Sequence, residues 1–442
     1  MRSELINRRE TSALRAFLNA DARVLFFAFN NDTQLKTFVP VIRHLKQEYS
    51  VDSLVVSGCE LKGIATDFDR LASLGVAHEL LEPKVRSRRW SQLLSSATVG
   101  RQRIMSLLDE YSPSAVVVGH DHAVPNNYIV QQARRRGIPS VLLQDGVMRN
   151  EPGTIPRTER LIKSLAGIPL RYGQGGCTRV AVWGSKAREY FLAVGVSPEN
   201  VRIVGCPRFD RVLTGEELSD PRASSVLPPV NRRIVYLAGG EVKFGIMTAG
   251  EHNTILLAML RAQRELNAVC TNTDLVIKLH RDDDLAGTRD FLRSNGGEDS
   301  CTVMQSEVDL YALLSTCDVA VTFSSTAGLE ALLLNKPLIL FNPTTRPDLV
   351  DYVQGGGALG ARTADELKSR LCDILTNREF LSVVSREKND YLTSQLGVLD
   401  GCATSRVANL VVSLMPSELQ SRLSTPASHH SVEFDALLTK ET

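Results

Sequence analysis

Two carboxylates stand where a chain could use them. In LLQDGVMRN, residues 142–150, Asp145 follows an apolar run and precedes Gly146, with Arg149 close behind. A carboxylate at a strand end can take a proton from a hydroxyl or attack an electrophilic carbon; the plainer alternative is a turn. In DVAVTFSSTAGLEALLLN, residues 318–335, Ser324, Ser325 and Thr326 open a helical stretch that carries Glu330. Hydroxyls and unpaired N–H groups at a helix start suit an anion. Glu330, about one turn further on, could accept hydrogen bonds from a ribose diol. The alternative is a serine cap that Glu330 completes.

Three further stretches carry side chains of the same kind. VIKLHRDDD, 276–284, places Lys278 and His280 on one face if the strand continues, and two cations there could neutralise phosphates. Asp282 to Asp284 are consecutive and would not converge on a metal without a shaped loop, so a solvated helix start is expected and no metal site. Gly239 and Gly240 in LAGGE could bring backbone N–H groups close to a ligand, or merely turn the chain. His120, Asp121 and His122 in HDHAVPNN lack suitably spaced partners for zinc, which leaves acid–base or acceptor-orienting duty, or a structural turn. The chain has no P-loop, no GxGxxG after its first strand and no GxSxG, the fingerprints of ATPases, dehydrogenases and hydrolases.

The elements that must position these residues alternate. Near-continuous apolar runs at 22–30, 52–58, 78–83, 115–121, 140–146, 178–184 and 200–210 read as strands, with helical spacing between several of them. Runs of this kind imply a parallel sheet covered on both faces. GEELSDPRASSVLPPVNRR then interrupts the pattern as a linker would. Alternation resumes with 233–241, 274–282, 300–305, 318–325 and 337–342. The expected organisation is therefore an α/β chain of two Rossmann-like, doubly wound domains: 1–214, a linker at 215–232, 233–415, and a loose tail at 416–442. Ligands of such sheets bind beyond the carboxyl ends of strands, which is where Asp145 stands.

Composition narrows the class. The 442 residues are 43% hydrophobic and 23% charged, and 51 basic residues nearly balance 50 acidic ones. A net charge of +1 argues against a general nucleic-acid binder. No run approaches the roughly 20 apolar residues that span a bilayer. The eight scattered cysteines form no CxxC pair, as expected of reduced thiols in a cytoplasmic protein. The basic, partly apolar stretches 157–176 and 86–90 could meet an anionic acceptor or lipid headgroups, or could be ordinary surface.

Taken in order, VWGSKAREYFLAVGVSPENVRIVGCPRFD, KLHRDDD and VTFSSTAGLEALLLNKPLILFN resemble the GT-B glycosyltransferases of bacterial surface polysaccharide synthesis. Relatives of those enzymes include CDP-glycerol polymer transferases and non-hydrolysing UDP-N-acetylglucosamine 2-epimerases. The resemblance spans about 110–345. It implies a donor-nucleotide site of Lys278, His280, Ser324, Ser325, Thr326 and Glu330, although Arg281 stands where proline is usual. LLQDGVMRN is similar to the EDGFxRS motif of capsule-type Kdo (3-deoxy-manno-octulosonic acid) transferases, which implies that Asp145 is the catalytic carboxylate. His280 would stabilise the departing nucleotide. His120, Asp121, His122 and Arg149 are acceptor-side candidates.

The expected protein is a metal-independent glycosyltransferase without a cofactor, working at the inner face of the plasma membrane or free in the cytoplasm. It would move a sugar from a CMP-, CDP- or UDP-linked donor to a glycan or glycolipid acceptor, with peripheral membrane contact allowed. An epimerase and a non-catalytic nucleotide-sugar binder are the alternatives. Retention through a covalent intermediate and direct inversion both stay open.

Overall fold

A computed structural model of the chain describes residues 12–29, 32–58, 71, 75–81, 90–122, 125–148, 157–165, 169–215, 227, 230, 232–268, 273–297 and 300–423. Arg149, the 86–89 part of the basic stretch, most of the expected linker and residues 424–442 lie outside the described residues.

Among the described residues thirteen strands form two parallel sheets. The first contains β1 (Arg23–Ala28), β2 (Asp52–Gly58), β3 (Ala77–Leu81), β4 (Ala115–Val118), β5 (Ser140–Leu143), β6 (Arg179–Val182) and β7 (Val201–Ile203), in the order β3-β2-β1-β4-β5-β6-β7. The second contains β8 (Arg232–Leu237), β9 (Thr273–Lys278), β10 (Thr302–Met304), β11 (Val319–Thr322), β12 (Leu338–Phe341) and β13 (Leu359–Ala361), in the order β10-β9-β8-β11-β12-β13. Twelve of these strands fall on the expected runs. β13 was not anticipated, because LGA is too short and too small to read as a strand.

Alternation across each sheet explains the apolar runs. Val24 and Phe26 enter one core layer while Leu25 and Phe27 enter the opposite one. In the second sheet Ile234 and Tyr236 face one layer, and Val235 and Leu237 the other. Both faces are covered, so neither set of positions can be polar.

Strand order reverses between β1 and β4 in the first sheet, and between β8 and β11 in the second. Connections leaving neighbouring strands at such a point diverge to opposite faces and open a crevice. The segments after β1, β4 and β5 carry Gln34, His120 and Asp145. Those after β8 and β11 carry Gly239, Gly240, Ser324 and Ser325. Topology alone therefore places the expected site residues at two crevices.

The C-terminal region differs from expectation. Helix Arg378–Leu396 places Tyr391, Leu392 and Leu396 in one apolar cluster with Trp183 and Phe209 of the first unit and Val235 of the second. Gly184 permits its approach, since a Cβ there would lie 2.4 Å from the Ser394 carbonyl oxygen. Helix Ala403–Ser413, assigned above to the second domain, packs Val407, Ala408 and Val411 under the first sheet against Val24, Phe26 and Phe38. Its first N–H groups, at Ala403 and Thr404, donate to the buried Asp210 carboxylate at 3.1 and 2.7 Å. The described start of the expected tail is also packed: helix Ser417–Gln420 brings Leu419 and Leu423 against the same cluster. The physical reason is the apolar face of helix Asp32–Tyr49, whose Phe38, Val41, Ile42 and Leu45 share one buried cluster with Val407, Ala408 and Val411.

Asp210→Ala should remove that cap and lower stability by about 1–2 kcal/mol, read as a shift in the urea midpoint. An unchanged midpoint would show that the returning helix is held by packing alone.

Candidate functional site

The end of β5 is fixed before Asp145 begins. Gln144 donates from its amide to the Gly146 carbonyl at 2.8 Å. Its side-chain oxygen accepts the Trp183 backbone N–H at 2.7 Å, and its carbonyl accepts the Trp183 indole N–H at 2.9 Å. One glutamine thus ties the Asp145 turn to the end of β6. Gly146 has open space where a Cβ would stand and no positive φ, so backbone geometry does not demand glycine there. What glycine provides is clear space beside the carboxylate.

Asp145 is 9% exposed. Its Oδ2 accepts from Gln34 Nε2 at 2.9 Å and lies 3.1 Å from His120 Nε2. Gln34 reaches it only because residue 119 is glycine: a Cβ at Gly119 would stand 2.2 Å from Gln34 Nε2. Burial pulls the His120 pKa down, but the hydrogen bond and charge of Asp145, aided by the charge of Asp121, push it higher, and the net is above the ordinary histidine value. His120 therefore favours the imidazolium form, a charged donor to Asp145. Burial, with the charges of His120 and Lys163, takes His122 down to about 4, so that ring is neutral. The rings of His120, His122 and Tyr172 pack edge to face with centroids 5.4–5.7 Å apart.

Asp121 does not join this group. It is fully buried, and its two oxygens accept the N–H groups of Gly173 and Gly175 at 2.8 and 2.7 Å. A Cβ at Gly175 would lie 2.6 Å from the Asp121 Cβ, so the loop closes directly on the carboxylate. Asp121 is a loop anchor that supports Tyr172, whose hydroxyl donates to the Gly119 carbonyl at 3.0 Å. The acceptor-side expectation for Asp121 is corrected on that ground.

The second crevice is organised by a residue not singled out from sequence. Glu241 is 2% exposed. Its Oε2 accepts the Gly239 N–H at 2.8 Å, and its Oε1 accepts the Ser324 hydroxyl at 2.7 Å. The carboxylate joins the glycine turn after β8 to the serine loop after β11. Gly240 has φ +76°, and a Cβ there would meet His280 Nδ1 at 2.9 Å and the Phe244 ring at 2.9 Å. Glycine is required at that position twice over, by conformation and by contact. Phe244 is 56% exposed and meets the His280 ring edge to face at 5.7 Å.

Ser325 donates its N–H to Thr322 Oγ1 at 2.9 Å, and its own Oγ accepts the Ala327 N–H at 3.3 Å. Helix Ala327–Leu333 begins after Thr326, whose side chain makes no capping bond. Part of the capping alternative is thus realised by Ser325. Glu330 takes no part in it and faces inward, its Oε1 3.5 Å from Arg208 Nη2.

Lys278 and His280 do not act as a pair. β9 ends at Lys278, whose ammonium lies on the carbonyl oxygens of Leu279 and Gln305. Burial first, then the charge of Lys36, lowers its pKa to about 8. His280 turns to Gly240, and its Nδ1 accepts the Asp282 N–H at 3.3 Å. Burial lowers its pKa despite the neighbouring acids. The three aspartates follow the helix-start expectation: Asp283 accepts the His280 N–H, and Asp284 caps helix Leu285–Ser294 through the Gly287 N–H. Among the described residues no group of His, Cys, Asp or Glu is arranged to hold a metal, and no helix is long and apolar enough to cross a membrane.

Against known proteins, residues 241–344 match the family model of capsule polysaccharide biosynthesis proteins. No curated protein matches the chain. Three solved structures share its architecture. The UDP-N-acetylglucosamine 2-epimerase of Neisseria meningitidis, bound to UDP-GlcNAc, is 15% identical, with 88% of this chain and 100% of that chain covered and a TM-score of 0.62. Anabaena Alr3699/HepE, in complex with UDP and glucose, is 12% identical over 89% and 100%, with a TM-score of 0.57. A Rickettsia africae glycosyltransferase is 11% identical over 88% and 98%, also at 0.57. This is the GT-B fold. At such identities the likeness is one of fold.

The Glu241 tie carries a prediction. Glu241→Ala strands a buried N–H and a buried hydroxyl, and should cost about 2–4 kcal/mol of stability in urea denaturation. Glu241→Gln, which keeps an acceptor, should cost clearly less. Equal losses would mean that the bonds to Gly239 and Ser324 do not hold the loops.

Proposed function

We propose that the chain is a GT-B glycosyltransferase of surface-polysaccharide synthesis, with Asp145 as the reacting carboxylate and the Gly239–Gly240 and Ser324–Thr326 loops as the donor-nucleotide site. The observation that carries this is the placement of Asp145. A carboxylate that two side chains orient through one oxygen stands at the switch point of one sheet, in a chain whose other switch point carries a glycine turn bound to a serine loop. The match of residues 241–344 to capsule polysaccharide biosynthesis proteins supports the same reading.

The chemistry follows from the geometry. Gln34 and His120 both donate to Oδ2, which leaves Oδ1 as the oxygen available to a substrate. As a base it would deprotonate the acceptor hydroxyl in direct displacement. As a nucleophile it would bond to the anomeric carbon while the nucleotide leaves. In the second route water or the acceptor hydroxyl then breaks the glycosyl–carboxylate bond. His120 and Gln34, both on Oδ2, would hold the carboxylate in one orientation in either case. Backbone N–H groups of the two loops and His280 would meet the donor phosphates, and the donor class is UDP, CMP or CDP. A Kdo-like sugar fits the retaining route. The acceptor is a glycan or glycolipid, with peripheral membrane contact through the basic surface around helix Arg157–Leu165.

The epimerase reading has one observation in its favour, the likeness to UDP-GlcNAc 2-epimerases. It needs a second acid opposed to the first. Among the described residues the neighbouring acid, Asp121, is bound to Gly173 and Gly175 instead. Incubation of the chain with UDP-GlcNAc and no acceptor separates the two: unchanged sugar fits a transferase, and a second epimer fits the alternative.

Asp145→Asn keeps shape and removes the base or nucleophile. Turnover should fall at least ~100-fold while nucleotide binding, read by thermal shift, stays near wild type. Wild-type turnover in that variant would remove Asp145 from the mechanism. Turnover should also persist in EDTA, because protein donors are assigned the phosphate charge. Activity lost in EDTA and restored by Mg²⁺ or Mn²⁺ would overturn that assignment.

A further inference from the structure

Arg208 and Glu330 are buried charges contributed by different parts of the chain. Arg208 lies in the CPRFD turn after β7, and Glu330 in helix Ala327–Leu333 after β11. Each is 7% exposed. Their one contact, Nη2 to Oε1, is 3.5 Å, longer than a good charged hydrogen bond. Arg208 Nε and Nη2 and Glu330 Oε2 are buried without a hydrogen-bond partner. The guanidinium carbon lies 5.2 Å from the Trp183 ring centre and 4.6 Å from that of Phe209, so both aromatic faces grip it. Trp183 is the residue that Gln144 ties to the Asp145 turn. A continuous set of contacts therefore runs from Asp145 through Gln144, Trp183 and Arg208 to Glu330.

We propose that Arg208 is a positioning residue acting across the two sheets, setting the charge and orientation of Glu330 so that its free oxygen meets the ribose diol of a nucleotide-sugar. The proposal rests on the donor-site reading above. A loosely paired carboxylate with one unpartnered buried oxygen is arranged to gain a donor, and a diol offers two. Arg208 stays fixed by its aromatic contacts while Glu330 takes up the ligand.

The electrostatics agree. Burial raises the Glu330 pKa, opposed by the charges of Arg208 and then Lys36 from helix Asp32–Tyr49; Asp309 at the start of helix Leu310–Ser315 raises it further. Tyr311, Tyr352 and Cys206 also face Glu330, and all three are neutral, with pKa values pushed up by burial. Arg208 is thus the first-ranked counter-charge. The net shift is upward even with Arg208 in place, and removing Arg208 leaves burial less opposed, which favours the protonated form further and is reversed as pH rises.

The test is affinity for UDP, CMP and CDP by calorimetry between pH 6 and 9, for wild type, Arg208→Lys, Arg208→Met, Glu330→Gln and Arg208→Met with Glu330→Gln. Each variant is read as its ratio to wild type at the same pH, which removes the titration of the nucleotide itself, and the Arg208→Lys ratio should stay nearly constant across this range. Arg208→Met should bind at least ~10-fold more weakly at pH 6, the size of one charge-assisted hydrogen bond, and recover toward pH 9. The double variant should be weak and flat, which a merely structural loss in Arg208→Met would not explain. Thermal melts identify any variant that is unfolded, and Arg208→Lys and the double variant keep the comparison available. A pH-independent loss in folded Arg208→Met would overturn the proposal. Tighter binding by that variant would make the pair a latch over the site and overturn it equally. If wild type binds none of UDP, CMP and CDP, or Glu330→Gln binds the preferred nucleotide like wild type, the donor-site reading itself fails and the proposal goes with it.

Discussion

The side chain of Gln144 closes the first sheet at the point where Asp145 leaves it. A parallel strand ends with backbone groups that no further ladder bond satisfies, and buried groups of that kind must find partners. Gln144 supplies them with both ends of its amide, to Gly146 and to Trp183, while its own carbonyl takes the indole N–H. The Asp145 carboxylate is thus mounted on a locked turn. Trp183 in turn carries Arg208, so the same lock reaches the second sheet.

The donors that each buried carboxylate meets divide the acids into roles. Asp121, Asp210 and Glu241 are almost wholly enclosed, and each carboxylate accepts two hydrogen bonds from the chain, backbone N–H in every case but the Ser324 hydroxyl. These are anchors for loops and for a returning helix. Asp145 differs in that both of its side-chain donors meet one oxygen. Glu330 differs in that, among the described residues, its Oε2 has no hydrogen-bond partner and its Oε1 lies 3.5 Å from Arg208. An acid whose oxygens are taken by backbone is structural, and one with an oxygen in reserve can meet a substrate. That criterion is the ground on which we propose Asp145 for the reaction and Glu330 for the nucleotide.

Much of the fold was legible because buried parallel strands allow no polar interruption: AVVV, SVLL and VAVT announce themselves. The carboxyl-end positions of Asp145, Ser324 and Gly239 followed from strand order. What the chain's local pattern does not carry is long-range pairing. Helix Ala403–Ser413 has an apolar stripe that fits either sheet, and only the Asp210 cap and the apolar face of helix Asp32–Tyr49 decide between them. Asp121, like Asp145, is an aspartate just past a strand end, and only the donors that each carboxylate meets separate their roles. Glu241 stood in full view beside two glycines, yet its partner Ser324 is 83 residues away. Arg208, in a proline turn, gives no local sign of the acid that it faces.

The central claim is that donor and reacting carboxylate meet between the two switch points. A crystal structure of the chain grown with UDP tests it most directly. The account predicts the diphosphate against the Gly240 N–H and the Ser324–Thr326 loop, the ribose hydroxyls at Glu330, and the terminal phosphate directed toward Asp145. A nucleotide bound with its phosphates away from both loops, or with Asp145 on the far side of its ribose, would contradict it.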